Sequence, residues 1–583
     1  MAKQMLLLAA TCFSMIVACK EEPKIMDGNV IRVNQVGYYP NEEKTATVEE
    51  TGFSQEYKLV DANGKTVWKG AASRMATSEI SQKVRAVVDF SEVKTPGSYT
   101  LVADKYAQPV VIVDKALNDL AKGAMKAFYY LRTATELPEQ YAGKWNRPAA
   151  HPDTEVFVHP SAAYKSRPAG TVISSPGGWY DAGDYNKYIV NSGFSHGIML
   201  CAYQMQPEHY ASYALNIPES NNTTPDVLDE MLYNLSWMLT MQDTEDGGVY
   251  HKLTNPSFDA FVMPVEAKEP RYVVMKTTAA ALDFAATMAQ ASRVFAQYPE
   301  YSDFVAKCIP AAEKAYKWAQ KNPSVPYLQE AMNEKFEPKV TTGAYGDFSF
   351  QDEFFWASTE LYLSTKNATY LEDAKKNAPQ KFTLPVWGNV ATLGVYDWIG
   401  ASLKGDEVAK EMADQFSPEL IAYCDEKMAA VPSSCFQSTY GNKVKDFGWG
   451  SLAEGCCCMS VTLLYANALT GNRDYVKAAL QNADYLLGQN ATGFSYVTGF
   501  GTKPFMHPHM RISEADGIED PIPGLLSGGP NPGKQDEATC PYYTNDFADE
   551  CYLDNMNSYA TNEIAINWNA SLVAMIGWLD AIL

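Results

Sequence analysis

Zinc-binding signatures are missing from this 583-residue chain: there is no Cys-x-x-Cys pair and no His-Glu-x-x-His motif, so neither a structural nor a catalytic zinc is indicated. Histidine is scarce, at seven residues. Basic residues fall short of acidic ones, 47 against 69, for a net charge of −22. That balance repels phosphate backbones and anionic lipid, which disfavours nucleic acid as a partner. No long uninterrupted apolar run follows the first twenty residues, so no membrane-spanning helix is expected. Charged residues are also few, 20% against 46% hydrophobic, which excludes a largely disordered chain. At this length two domains are the natural expectation.

Aromatic residues are plentiful, at 12%. They supply flat apolar faces for neutral ligands such as sugars, and they equally fill a large core. The N-terminus carries a second signal. Lys3 precedes an apolar run from Met5 to Ala18, too short to cross a bilayer, which gives way at Cys19 to Lys20-Glu21-Glu22-Pro23. The pattern resembles a bacterial lipoprotein signal over residues 1–18, with Cys19 as the lipidated first residue and acidic neighbours like a surface-export tag. It implies an outer-membrane lipoprotein of the cell envelope, facing outward and touching the membrane only through its lipid. Ile16 stands where such sites usually have Leu, which keeps ordinary secretion or a periplasmic location open. Cys424 with Cys435, and Cys540 with Cys551, are spaced for bridges in an oxidising compartment.

Residues 29–115 have strand period, with a hairpin signal at Asn63-Gly64 between Tyr57–Val60 and Thr66–Trp68, and a turn at Pro96-Gly97. This predicts a small β-sandwich. From residue 116 to 583 the period is helical, with segments near 117–132, 225–242, 276–296, 301–321, 354–366, 388–402, 405–424, 449–469, 473–488 and 561–582. Long Gly-, Pro- and aromatic-rich stretches at 167–192 and 490–560 read as functional loops. A toroid of helical hairpins with a cleft across one face is expected.

Three stretches carry chemistry. Gly177-Gly178-Trp179-Tyr180-Asp181-Ala182-Gly183-Asp184-Tyr185 brings two carboxylates together in a glycine-flanked loop. Such convergence is costly unless something, such as a shared water, uses both; an Asp-rich turn or calcium loop would show the same pattern. Ser495 to Lys503, continuing to His507-Pro508-His509-Met510-Arg511, offers donors in fixed planes for hydroxyl groups, or an incidental surface loop. Tyr552-Leu553-Asp554 and Tyr559 to Ala570 place Glu563 at the start of the last amphipathic helix, where a glutamate is often only a cap.

Taken together, and in this order, these stretches resemble glycoside hydrolase family 9. Asp181-Ala182-Gly183-Asp184 matches that family's base motif, and Ser495–Arg511 and Tyr552–Ala570 fit its histidine and glutamate signatures. Asn216–Ser220, Asp226–Glu230 and Gly247–Lys252 are similar to the family too, and Ile31–Tyr38 resembles the start of its immunoglobulin-like domain. The resemblance implies a multidomain protein, an immunoglobulin-like β-sandwich followed by an all-α (α/α)6 barrel. It implies inverting hydrolysis of β-1,4-glucosidic bonds in a plant-type β-glucan, by a monomer, with no cofactor needed for the chemistry. Asp184 would be the base, Asp181 would help hold the water, and Glu563 would be the acid. His509 and Arg511 would hold sugar hydroxyls, and Trp179, Tyr180, Tyr345, Tyr559 and Trp568 would stack on or position the substrate. Met510 replaces a second histidine of many relatives. The family's cysteine–histidine zinc site lacks its cysteines around Leu131 to His151, and a structural calcium at Asp352 and Glu353 is implied although Phe348 and Ser349 depart from the usual preceding ligands. An exo-acting β-glucosidase or glucosaminidase, and a non-catalytic surface glycan-binding lipoprotein, are the alternatives.

Overall fold

The computed structural model describes residues 24–583; Cys19 lies outside them. Nine strands come first: β1 (Ile25–Met26), β2 (Ile31–Arg32), β3 (Thr45–Glu49), β4 (Tyr57–Asp61), β5 (Thr66–Gly70), β6 (Arg74–Thr77), β7 (Val84–Asp89), β8 (Gly97–Ala103) and β9 (Tyr106–Ile112). They form two sheets, ordered β1-β9-β8-β4-β5 and β2-β3-β7-β6. The alternate residues Tyr57, Leu59, Tyr99, Leu101, Val110 and Ile112 of one sheet are buried with Ala46, Val48, Ala86 and Val88 of the other, as a sandwich core requires. The β4–β5 hairpin turns at Gly64, whose φ of +81° suits a residue without a Cβ.

Twelve longer helices follow. Six carry the inner wall: α2 (Ile189–Met205), α4 (Thr278–Phe295), α6 (Gln351–Thr365), α8 (Ala391–Leu403), α10 (Met459–Thr470) and α12 (Ile566–Ile582). Six lie outside: α1 (Asn118–Tyr130), α3 (Asp226–Thr240), α5 (Ser302–Lys321), α7 (Ala368–Asn377), α9 (Glu407–Met428) and α11 (Asp474–Leu486). Neighbouring inner helices touch around a closed ring, each backed by an outer one, the (α/α)6 barrel. The outer α5 buries one stripe only, Phe304, Cys308, Ala311, Ala312, Ala315, Tyr316 and Ala319, the spacing of an amphipathic surface helix. The inner α2 is buried at every residue from Ile189 to Tyr203. Small residues make that possible: a Cβ on Gly193 would lie 2.8 Å from Asp283 Cβ, and one on Gly197 2.7 Å from the Trp356 ring.

The sandwich is fastened to the barrel by specific bonds. Asn34 donates to Asp484 at 2.8 Å, Gln35 N–H to the Leu487 carbonyl at 2.9 Å, Thr47 Oγ1 to the Cys435 carbonyl at 2.7 Å, and Arg32 to the Ala491 carbonyl at 3.1 Å. The buried Arg85 pairs with Glu49 at 2.8 Å and approaches Glu550 at 3.6 Å, on the loop leading to Glu563.

Several sequence expectations need correction. The segment 167–192, expected to be loop, ends in the first turn of α2, and the rest of that helix carries no helical stripe because it has no exposed face. The expected helix at 449–469 begins as a π-helical turn, Ala453–Cys458, before α10. Glu563 does not open the last helix; it sits on extended backbone (φ −70°, ψ 157°) three residues before α12, and α12 is buried all round rather than amphipathic. Cys424, Cys435, Cys540 and Cys551 are free, buried thiols.

Candidate active site

The amino ends of the inner helices converge on one cleft of about 600 Å³. Asp181, Asp184 and Tyr188 precede α2, Tyr345 precedes α6, Trp387 precedes α8, Trp449 precedes the π-turn of α10, and Glu563 precedes α12; all line it. A small five-stranded sheet supports the floor: β10 (Val156–Val158), β11 (Val172–Ile173), β12 (Lys187–Tyr188), β13 (Lys252–Thr254) and β14 (Tyr272–Val273), ordered β11-β10-β14-β13-β12. It positions Tyr188 against the buried Lys252, whose ammonium reaches Thr342 Oγ1 at 2.9 Å and the Gly343 carbonyl at 2.6 Å on the opposite wall.

The three sequence stretches are sewn together through backbone. Ile566 N–H donates to the Asp181 carbonyl at 2.8 Å, Ala182 bridges Ala565, Arg511 N–H donates to the Gly183 carbonyl at 3.1 Å, and His509 N–H donates to the Asn562 carbonyl at 2.9 Å. Gly183 must be glycine here, because a Cβ would lie 2.1 Å from the His509 carbonyl oxygen. Asp554 adds a side-chain stitch, accepting from the amides of Met506 at 2.8 Å and His507 at 2.7 Å.

The carboxyl groups have distinct surroundings. Asp181 is 2% exposed and accepts from Asn191 Nδ2 at 2.7 Å and Tyr345 Oη at 2.7 Å. Burial, then the nearby Asp184, pushes its carboxyl up to about 8, against the pull of those two donors. Asp184 accepts from Asn186 N–H at 2.9 Å and Tyr188 Oη at 3.3 Å. Burial raises the Glu563 carboxyl well above the usual range, and Asp184 and Asp181 add to the rise; Arg511 and the Gly183 amide oppose it. Burial and two neighbouring carboxyl groups thus favour the protonated form of Glu563, as a general acid requires.

His509 Nδ1–H donates to the Met556 carbonyl at 2.6 Å, and the ring meets Phe261 and Tyr559 edgewise. Tyr559 packs at 5.4 Å against Trp449, which is 49% exposed. Arg511 is buried and donates from Nε to the Asp259 carbonyl (2.7 Å) and from Nη1 to the Gly183 carbonyl (2.8 Å), with the Phe258 and Phe261 rings beside it; it clamps the base loop. Trp179 and Tyr180 are corrected as well. Both are at most 1% exposed, Trp179 donating to Glu230 and stacking on His196, Tyr180 bonding His151, so neither presents a face to the cleft. Sequence reasoning missed Asn191, Tyr188, Trp387 and Trp449. Only Trp449, between two glycines, carried a local signal.

Asp352 accepts from Val390 N–H at 2.9 Å at the start of α6. Beside it, both carboxylate oxygens of Asp283 and of Glu353, and Oδ2 of Asp347, are buried without a hydrogen-bond partner. Burial, then the charge of neighbouring carboxylates with Asp352 first among them, raises Glu353 and Asp283 well above the usual range. Among the described residues no three side chains converge as a ready-made metal centre. The donors are all hard oxygens, however, and suit calcium rather than zinc.

Known proteins resemble this chain across both domains. The model of glycosyl hydrolase family 9 matches residues 118–576, and that of the cellulase N-terminal ig-like domain residues 27–108. A xyloglucan-specific endo-beta-1,4-glucanase of Bacteroides ovatus is 52% identical over 568 residues, which is 97% of this chain and 96% of that protein. Endoglucanase D of Acetivibrio thermocellus is 33% identical over 562 residues, covering 94% and 83%. The solved structure of a Bacteroides ovatus family 9 protein superposes with a TM-score of 0.91 at 51% identity, over 95% of this chain and 99% of that one. An endoglucanase structure from Alicyclobacillus acidocaldarius does so with a TM-score of 0.84 at 29% identity, over 95% and 99%.

Proposed function

The chain belongs to glycosyl hydrolase family 9, and from that premise we propose that it cuts β-1,4-glucosidic bonds inside a β-glucan chain, with inversion at the anomeric carbon. The observation that carries this reading is the gathering of Asp181, Asp184 and Glu563 in one cleft walled by Tyr345, Trp387, Trp449 and Trp568. Glu563 protonates the leaving oxygen. Asp184 takes a proton from the attacking water on the opposite face of the sugar, and Asp181 helps to orient that water. Aromatic walls hold the sugar rings by their apolar faces.

Xyloglucan is the favoured substrate, supported by the similarity to the Bacteroides ovatus enzyme across nearly the whole chain. A glycan-binding protein without catalysis has no use for a Glu563 held protonated beside two further carboxyls. An exo-acting enzyme would release single small products from the outset. Incubation of the full-length protein with xyloglucan, mixed-linkage glucan, cellulose-type glucan and aryl β-glucosides decides between these. A rapid fall in polymer length on xyloglucan supports the reading; glucose released alone, or no product, overturns it.

A structural calcium at Asp352 and Glu353 is part of the proposal, supported by the unpartnered carboxylate oxygens of Glu353 and of the nearby Asp283 and Asp347. It would neutralise carboxylates at the start of α6 and take no part in the chemistry. Lipid attachment at Cys19, an outward-facing place in the outer membrane and a monomeric state complete it. Cys19→Ala should release the protein from membranes without changing its activity on soluble glucan.

A further inference from the structure

Trp449 lines both the cleft and a second recess of about 360 Å³, and is the wall the two share. We infer that this recess receives the sugar branch of a substituted β-glucan whose backbone lies in the cleft. The inference rests on the β-glucanase reading of that cleft.

Three observations support it. The first is the lining. Tyr423, Tyr440, Phe447 and Trp449 supply aromatic walls, while Lys427, Lys445, Asp446 and Glu454 supply two positive and two negative groups. A wall with balanced charge holds no net attraction for an ion, but offers donors and acceptors to a neutral polyhydroxyl ligand. The second is size. At about 360 Å³ the recess sits at the small end of ligand pockets, enough for a short branch and too small for a second glucan strand.

The third is how the recess is built. Its floor is the π-helical turn Ala453–Cys458, a distortion that recurs at functional sites. Gly455 on that turn lets the Tyr440 ring lie flat against the helix, where a Cβ would come within 2.2 Å of Cδ2, and Tyr440 Oη is held by Ser451 Oγ at 2.7 Å. On the other side Gly450 (φ +68°) seats the Trp568 indole, since a Cβ there would lie 2.4 Å from Nε1. Trp449 is thereby fixed between the two hollows with nearly half its surface exposed. Glu454 lines the recess and is exposed to solvent.

The test compares two substitutions at Glu454 on paired ligands: a β-1,4-glucan oligosaccharide carrying α-1,6-linked xylose branches and its unbranched counterpart. Glu454→Trp fills the recess, and Glu454→Gln keeps its shape but removes the charge. The ratio of kcat/KM on branched to unbranched ligand should fall at least tenfold for Glu454→Trp and less for Glu454→Gln. Calorimetry in a Glu563→Gln background should show the same loss of preference in Kd, so the recess is tested even if turnover is absent. An unchanged ratio in both measurements overturns the branch assignment while leaving hydrolysis intact. A larger loss on long unbranched oligosaccharides overturns it too, by making the recess a further backbone position. A native protein that cleaves neither ligand defeats the hydrolase reading instead.

Discussion

Ile566 N–H donates a 2.8 Å hydrogen bond to the carbonyl of Asp181, joining the first turn of α12 to the loop that carries the two aspartates. Three residues before Ile566 stands Glu563, and three residues after Asp181 stands Asp184. Ala182 and Ala565 bridge between them. The spacing of acid and base is therefore set by backbone hydrogen bonds between stretches nearly 400 positions apart in sequence, rather than by long side chains. Such rigidity is what preorganised catalysis requires, because small misplacements of reacting groups cost large factors in rate.

Removing the groups themselves gives the most direct prediction. Asp184→Ala and Glu563→Gln should each lower kcat by about 100- to 10,000-fold, while circular dichroism and oligosaccharide binding stay close to native. Proton NMR of early products from a β-linked substrate should show the α-anomer first in the native enzyme. Appearance of the β-anomer first, or near-native turnover in Glu563→Gln, would refute the assignment.

Gly183→Ala tests the stitch without touching a carboxyl. The added methyl would sit 2.1 Å from the His509 carbonyl, and backbone cannot yield as a side-chain tip can. Overpacking of this kind costs about 1–3 kcal/mol. The expected result is a lower melting temperature and a kcat loss greater than the KM change. A variant with native kcat would show that the two loops tolerate separation.

Much of this site is legible in sequence because glycines, carboxylates and aromatics in a fixed local order mark a loop whatever its surroundings. Asp181 and Asp184 stand out in that way, whereas Glu563 by itself reads as a helix cap and is marked by the family resemblance of Tyr552–Ala570. The sandwich is legible too, from alternating strands such as β4 and β8 and from the turn residues between strands. Five of the six inner helices fall in segments with helical period, but α2 does not. Helix α2 is enclosed on all sides, so its residues show no 3.6-residue stripe, and Asn191, which holds Asp181, is hidden with it. Trp179 and Tyr180 mislead for the opposite reason. Their place beside the aspartates suggests the cleft, but both side chains are taken up by the core, Trp179 against Glu230 and His196 and Tyr180 against His151.

Tyr345→Phe should move the acidic limb of the pH–rate profile. Tyr345 donates to Asp181 at 2.7 Å and favours its charged form, against burial and Asp184, which together raise the carboxyl to about 8. Losing the donor raises it further, so at any given pH below that value fewer molecules carry Asp181 ionised to orient the water. The limb should shift to higher pH, with kcat at neutral pH reduced. A uniform fall in kcat with an unmoved profile would assign Tyr345 to shape alone.

The contact between domains predicts a pH-dependent stability with a definite sign. Asp484 is 3% exposed and accepts from Asn34 at 2.8 Å; burial raises its carboxyl from 3.8 to about 8. The fold thus favours the neutral acid. Its contribution is fully present below the unfolded value near 4 and is lost as pH rises through about 8. Asp484→Asn keeps the shape and an acceptor for Asn34 while removing the charge. A tenfold change in proton affinity between the folded and unfolded chain is worth about 1.4 kcal/mol, so the variant should be more stable than the native protein at pH 8, by about 1–3 kcal/mol after relaxation of the buried site. At pH 4 the two should melt together. Asp181 and Asp549, raised to about 8 and about 6, lower the stability of both proteins alike as pH rises, so the difference between the melting curves isolates Asp484. A constant offset in melting temperature across this range would mean that Asp484 is held ionised at the interface, and that the two domains meet through a charged contact.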